Sequence, residues 1–434
     1  MREYTKTKIK DVQIGKSEVW GWIEKVRDQK SMVFVVIKDR TGKIQVTIDK
    51  EQQSEIAEVF LGLTTDSYVT VRGEVVESPY VKLGGKELLP REVIVQSRAE
   101  ISPIDGKSAI DQRLDYRYID LRDEKKRAIF EVQTVIMDGV REFIRQEDFI
   151  EVHSPIMTSG GSESGANVFE VKYFDQKAYL IQSPQFYKQM AIASGFEKVF
   201  ICTPVARAEK SFTKKHATEF ISLDFEIADV ESEEDVMAFE ERLIHHTIKY
   251  LKERMDEKIK ADFGVELKVP SLPFPRLTMK EVYKILEEEC DYPIDEGTDL
   301  DTESEKLLAE YVEKTYGCDF FFIHKYPSEF RPFYTMKEDD DPTYSKSYDL
   351  YFKDIEITSG AQREHRPDIL ASQIAEKGID PKLMEKSYID FFKFGCPPHG
   401  GFAIGFERLT MLLLDLPTIK EVQFVFRGPD RLRP

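Results

Sequence analysis

Arg207-Ala-Glu209, followed by His216, Glu219 and Phe220, is answered far downstream by Gly400-Gly-Phe-Ala-Ile-Gly405-Phe-Glu-Arg408-Leu. Each arginine stands in strand-like or glycine-rich surroundings, and a guanidinium is a rigid fork of donors that matches phosphate and carboxylate oxygens. Upstream, Asp148-Phe-Ile-Glu-Val-His-Ser-Pro155 supplies a third segment. Between the two arginines, Glu356-Ile-Thr-Ser359-Gly-Ala-Gln-Arg363-Glu-His-Arg366 gathers a carboxylate, a hydroxyl and further arginines.

The chain has 434 residues, 41% hydrophobic and 33% charged, which is enough apolar material for two or three domains. No apolar run reaches the roughly 18 residues of a membrane span, and the first residues lack the apolar stretch of a secretory leader. Cys202, Cys290, Cys318 and Cys396 are scattered, without a Cys-x-x-Cys pairing. They read as reduced thiols of a cytoplasmic protein rather than a disulfide frame or zinc site. The formal net charge of −18 runs against a nucleic-acid partner, because affinity for phosphates comes from Lys and Arg. Net charge is an average, however, and the deciding quantity is whether one face is locally basic.

Val19–Ile23, Met32–Ile37, Ile44–Ile48, Tyr68–Val71 and Val93–Val95 are short runs rich in β-branched and aromatic residues. Asp39-Arg-Thr-Gly42 supplies turn chemistry, and a helical segment from Glu51 to Leu61 follows the third run. Five strands with that helix predict an OB-fold barrel over residues 1–100; an SH3-like barrel is the alternative on pattern alone. Residues 101–130, with Pro103, Gly106 and dense charge, read as a hinge. From Arg127 to Gln146, Ile129, Val132, Val135, Ile136, Val140, Phe143 and Ile144 recur at helical spacing. Residues 131–434 form the larger domain, with a small, acidic helical insertion expected around 230–330.

These segments resemble motifs 1, 2 and 3 of class II aminoacyl-tRNA synthetases. Arg113-Leu-Asp-Tyr-Arg-Tyr-Ile-Asp-Leu-Arg122 resembles the opening segment of the class IIb enzymes for Asp, Asn and Lys. Lys172-Tyr-Phe, Arg331-Pro-Phe-Tyr-Thr-Met336 and Pro397-Pro-His-Gly-Gly401 extend the likeness over nearly the whole chain, which is most similar to the compact archaeal-type aspartyl branch. The resemblance implies an α+β multidomain protein: an OB-fold barrel followed by a catalytic domain with an antiparallel sheet flanked by helices. It also implies a homodimer through the motif 1 helix and strand. The chain departs from the pattern at Ala403 and Asp148, where glycines are usual, and at Phe426-Arg427 in place of Phe-Pro-Arg. If position 148 needs a positive φ, Asp is among the better non-glycine tolerators.

Amino-acid activation is attack of a carboxylate on the α-phosphate of ATP, which calls for cations and a metal rather than a protein nucleophile. No Ser/His/Asp or Cys/His arrangement stands out. By resemblance, Arg207 bridges the α-phosphate and the substrate carboxylate, Glu209 meets the adenine amino group, and Phe220 stacks on the ring. Lys215 and His216 meet the terminal phosphates, and Arg408 pairs with the γ-phosphate. Gly400, Gly401 and Gly405 allow close backbone approach to the nucleotide. Glu356 and Ser359 resemble the oxygen ligands of Mg²⁺, the expected cofactor. Strict alternation would put Glu356 and Thr358 on one face, with Ser359 at the strand end.

The expected amino-acid pocket comes from Ser183-Pro-Gln185-Phe-Tyr-Lys188-Gln and Arg363. Two cations suit a side-chain carboxylate and would be under-paired around a neutral amide. This favours L-aspartate, with asparagine as the alternative. Glu163 is expected to take the α-ammonium group with help from Gln185, and Arg207 and Ser359 complete the aspartate-binding set. Phe34, Gln45, Lys82 and Glu87 are the expected anticodon contacts on tRNA, although the apolar neighbours of Phe34 also fit barrel core. Glu24 stands where archaeal enzymes specific for one tRNA carry Trp and relaxed ones His, while Lys82 matches the specific form, so the two positions disagree. Two readings lie outside charging: a synthetase-like paralogue, whose relatives lack the barrel, and a plain OB-fold nucleic-acid binder, which would not need Arg207, Glu356 and Arg408 together.

Overall fold

The computed structural model describes residues 3–159 and 168–433. The chain divides into two compact units, Met1–Glu124 and Lys125–Pro434.

In the first unit, β1 (Gly15–Asp28), β2 (Met32–Lys38), β3 (Lys43–Asp49), β4 (Tyr68–Glu77) and β5 (Lys86–Ser97) pair in the order β1-β2-β3-β5-β4. A β1–β4 pairing closes the barrel. β3 and β5 run parallel and the other pairs antiparallel. Helix α1 (Ser54–Leu61), between β3 and β4, adds Ala57 and Phe60 to the core. This is the OB-fold the five runs predict. Alternation decides which side chains go inside: Val33, Val35 and Ile37 of β2 are sealed in the core, and Phe34 points out of it, only partly buried.

The second unit is built on an eight-stranded sheet. Its strands are β6 (Ile150–Glu151), β7 (Lys198–Ala206), β8 (Glu219–Ala228), β9 (Arg276–Thr278), β10 (Phe320–His324), β11 (Ser347–Phe352), β12 (Ile355–Gln362) and β13 (His399–Gly405). The order is β9-β10-β11-β12-β13-β8-β7-β6, antiparallel except for the parallel pair at each edge. One face is covered by α2 (Glu124–Gln146) and α4 (Glu233–Phe263), where Phe149 stacks on Phe239 at 5.1 Å and Phe225 on Phe402 at 4.7 Å. Helix α4 begins in a capping box, Ser232 with Asp235, and ends at Gly264 with φ 75°. The other face carries α3 (Gln185–Ala193) and the polar side chains of β8.

The stretch 230–330 holds α4, α5 (Met279–Glu288) and α6 (Thr302–Tyr316), but also β9 and β10, which extend the main sheet. Val282 and Leu286 of α5 and Leu308 and Val312 of α6 pack on Leu277, Phe321 and Ile323 of those strands. Among the described residues no helix is long and apolar enough to cross a membrane, and all four cysteines are free.

Candidate active site

Cross-strand register assembles the site around β8. Val205 faces Phe220 and Ala206 faces Glu219, so Arg207 emerges just beyond β7 with its guanidinium 5.3 Å from the Phe220 ring. Asp224 lies opposite Ala403, Ala403 opposite Ser359, and Ser359 opposite Asp349. Directly opposed residues share a face, so these four make one row across four strands.

Arg207, Glu209, Lys215, His216, Phe220, Glu356, Ser359, Gly405 and Arg408 line a single cleft of about 100 Å³, with Ser222, Ala403 and Glu407. The structure thus brings together the side chains expected at ATP and Gly405, but not Gly400 and Gly401. It corrects the expected strand geometry. β12 continues to Gln362, so Ser359 is mid-strand. The register slips so that Leu350 opposes Thr358 while Tyr351 opposes Glu356, leaving Ile357 as a bulge. A bulge re-aims the side chains beside it; Glu356 joins Ser359 on the cleft, and Thr358 is buried.

The cations of the cleft are held in place by the protein. Arg408 donates from Nε to the Lys215 carbonyl at 3.2 Å and from Nη1 to the Glu356 carbonyl at 3.0 Å. Lys215 pairs with Glu305 at 3.1 Å. Burial, then the charges of Arg408 and Lys215, lowers the pKa of His216, so its imidazole is a neutral partner. Two residues missing from the sequence reading belong here. Glu407 accepts from the Ile221 amide at 3.0 and 3.1 Å, and burial pushes it up to about 7. Asp349 is paired with Arg331 at 2.6 Å, and Arg331 also donates to Ser359 Oγ at 3.2 Å. Burial and the Asp349 charge raise the pKa of Glu356, which marks two carboxylates competing for positive charge. The signal for Asp349 was its isolation as the one charge in the run Tyr348–Phe352.

Lys188, expected at the substrate carboxylate, is already paired within the protein. Its side chain is 1% exposed and lies 3.2 Å from Asp224 and 3.1 Å from Glu226. Its hydrogen bonds go to the carbonyls of Phe402 at 3.2 Å and Phe225 at 3.4 Å. Arg363 is buried too, donating to Glu226 at 3.0 Å and to the Gly401 carbonyl at 2.7 Å. Two cations therefore meet two carboxylates, and the premise of an under-paired cationic pocket fails, because β8 brings its own counter-charges. Gln185 is buried and donates to Gln189, which bonds His399 at 2.9 Å. Glu163 lies outside the described residues.

The glycines divide by role. A Cβ at Gly401 would collide with the Phe225 carbonyl and the Glu226 carboxylate, and one at Gly400 would press on Val236 and the Ala361 carbonyl. These two serve the protein's own packing rather than a nucleotide. At Gly405 an added Cβ would meet only the Arg408 side chain, at an ordinary 3.7 Å. Ala403 fits within regular β13 pairing. Asp148 adopts φ 62°, the conformation for which glycine is usual. At the C-terminal departure, the Arg427 carbonyl accepts the Thr218 amide at 2.9 Å.

On the barrel, Phe34, Gln45 and Glu87 come together, and Lys82 is exposed in the turn before β5. Gln45 opposes Glu87 across the parallel β3–β5 pair, and Thr47 bonds both. Arg27, missed in the sequence, places its guanidinium 5.4 Å from the Phe34 ring and donates to Gln45 at 3.0 Å. Glu24 pairs with Lys43 at 2.9 Å.

Residues 109–426 match the family model of class II tRNA synthetases (D, K and N), and residues 18–97 that of the OB-fold nucleic acid binding domain. The aspartate–tRNA(Asp) ligase of Pyrococcus horikoshii is 43% identical over 423 residues, covering 96% of each chain. The aspartate–tRNA(Asp/Asn) ligase of Thermus thermophilus is 40% identical over 433 residues, again 96% of each. The solved asparaginyl-tRNA synthetase from Pyrococcus horikoshii, complexed with asparaginyl-adenylate, has a TM-score of 0.89 at 32% identity and covers 99% of this chain and 100% of its own. With three motif segments meeting on one sheet and a barrel at the N-terminus, the chain belongs to the class II aminoacyl-tRNA synthetases of the D, K and N group.

Proposed function

We propose that the protein is an aspartate–tRNA ligase: it joins L-aspartate to AMP with release of diphosphate, then transfers the aspartyl group to the 3′ end of tRNA(Asp). The observation that carries the reading is the cleft in which Arg207 and Arg408 meet Glu356 and Ser359, with Asp349 opposite Ser359 on the next strand. Arg207 holds the α-phosphate and the attacking carboxylate together, and Arg408 takes the far end of the triphosphate, so that proximity and fixed positive charge do the work. Phe220 and Glu209 receive the adenine. Glu356, Asp349 and the Ser359 hydroxyl fit Mg²⁺, an oxygen-ligated cation that completes its shell with phosphate and water. When bound, Mg²⁺ would neutralise charge on the phosphoryl oxygens.

Aspartate is favoured by relatives at 40–43% identity over nearly full length. Asparagine is the second reading, favoured by the balanced charges around Lys188 and Arg363 and by the likeness to the asparaginyl enzyme. Pyrophosphate exchange with each amino acid separates them: exchange driven by asparagine and not by aspartate would overturn the proposal. Residues 1–100 would read the anticodon through Phe34, Gln45, Lys82 and Glu87. Charging of tRNA(Asp) and tRNA(Asn) transcripts decides between strict and relaxed specificity. A cytoplasmic homodimer is part of the proposal; exposed Ile150 in motif 1, with Ile156 and Met157 just after it, supplies apolar surface for it. Arg408→Ala should abolish exchange while leaving the fold and the assembly intact, and wild-type exchange in that variant would remove the assignment.

A further inference from the structure

We propose that Glu305, on α6, is a positioning residue for the nucleotide cleft: it holds the Lys215 ammonium and so sets how tightly the cleft takes a polyphosphate. The inference rests on reading the cleft as the ATP site. Asp301 caps α6 by accepting the Ser304 amide at 2.8 Å, which fixes the turn from which Glu305 projects. The Glu305 side chain is 12% exposed and engaged on both oxygens. Oε2 lies 3.1 Å from Lys215 Nζ, and Oε1 accepts the Tyr351 hydroxyl at 3.4 Å. Tyr351 is a buried residue of β11 and opposes Glu356 across the sheet. Glu305 therefore joins the β7–β8 loop, the helix α6 and the strand that borders the candidate metal carboxylates.

The loop carrying Lys215 is also fastened through its backbone. Arg408 Nε donates to the Lys215 carbonyl, and the Ile419 amide to the Lys214 carbonyl at 2.9 Å. The cleft this leaves, about 100 Å³, is smaller than the roughly 300–1,000 Å³ of pockets that enclose a ligand. A triphosphate must draw Lys215 from Glu305, and the Glu305 charge itself opposes a polyanion. Both effects have the same sign, and neither is fully screened in a partly dehydrated cleft. Glu305 thus moderates affinity for ATP and, equally, for the diphosphate that has to leave.

Glu305→Gln keeps an acceptor for Tyr351 and removes only the charge. Calorimetric titration with Mg–ATP, and separately with inorganic pyrophosphate and Mg²⁺, should show Kd falling by about threefold to tenfold for both, the scale of an unopposed, partly buried charge. The KM for ATP in pyrophosphate exchange should fall in parallel, without a rise in kcat. In a Lys215→Ala background the same substitution should change Kd less, because the ammonium it releases is gone and only the direct repulsion by Glu305 remains. Unchanged or weaker binding in Glu305→Gln, or an equal effect with and without Lys215, overturns the inference. Wild-type protein that binds Mg–ATP but exchanges with neither aspartate nor asparagine would count against the proposed function and leave Glu305 to be judged by these binding data. Wild-type protein that fails to bind Mg–ATP overturns both.

Discussion

Lys188 and Glu226 form an ion pair at 3.1 Å in which neither side chain is more than 1% exposed. Glu226 also accepts from Arg363, and Asp224, its neighbour on the same face of β8, accepts the Ser222 hydroxyl at 2.5 Å. One strand face thus runs from the cleft beside Arg207 and Arg408, which Ser222 lines, to a sealed cluster of four charges. Nearby cations hold the Glu226 pKa below its usual value against burial that would raise it.

Removing Lys188 should therefore damage the fold as well as the chemistry. Lys188→Ala leaves Asp224 and Glu226 buried with only Arg363 for company, and breaking a buried pair costs about 3–5 kcal/mol. Urea denaturation should show that loss, alongside failure of aspartate-dependent exchange. A denaturation midpoint equal to wild type would mean that Lys188 is a substrate contact without a structural role.

The glycines of the last strand should behave differently from one another. Gly401→Ala forces a methyl group into the Phe225 carbonyl and the Glu226 carboxylate, so it should yield little folded protein. Gly405→Ala meets only the flexible Arg408 side chain, so it should fold normally and raise the KM for ATP. Expression yield and melting temperature distinguish them; a stable Gly401→Ala enzyme would refute the packing argument.

Phe34 projects outside the barrel core, beside Arg27. Base stacking on an aromatic ring is worth roughly 1–3 kcal/mol, so Phe34→Ala should weaken tRNA charging by about tenfold or more. Melting temperature and tRNA-independent exchange should stay near wild type. Normal charging in a variant that melts early would return the ring to the core.

Glu240 supplies a pH dependence. It is sealed between α4 and the sheet with the Tyr348 hydroxyl at 2.7 Å, and burial pushes it from 4.5 up to about 8. Between those values the folded state keeps a proton that the unfolded chain releases, so stability falls as pH rises, by at most about 1.4 kcal/mol per pH unit. The loss is complete above the folded value. Glu240→Gln keeps the acceptor and should remove this slope, gaining most on wild type at pH 8 and above. Urea midpoints between about pH 5 and 9 check it; parallel profiles for the two proteins would contradict the assignment.

The residues that line the cleft were legible because they come in short segments: Arg207, Glu209 and Phe220 stand in one, and Arg408 follows its glycines within another. Asp349 was not legible as part of the site, since its place depends on pairing with Ser359 across strands. Strict alternation alone pairs Glu356 with Thr358, because a bulge exists only relative to the partner strand; the resemblance, not the strand period, sets Glu356 beside Ser359. That Lys188 is already paired was not legible, because Asp224 and Glu226, its counter-charges, come from β8, remote in sequence.

By itself the sequence determined the barrel, through alternating β-branched runs, and the α2 helix, through its apolar spacing; both patterns are periodic and repeat within a few residues. The reaction class came from the resemblance the motif segments carry, since those segments are short and contiguous in the chain. Only the tertiary structure decided which charges are already neutralised, which face Glu356 occupies, and that Lys215 is tethered to Glu305. Electrostatic balance depends on distances between groups far apart along the chain, and register across a sheet is what sets those distances.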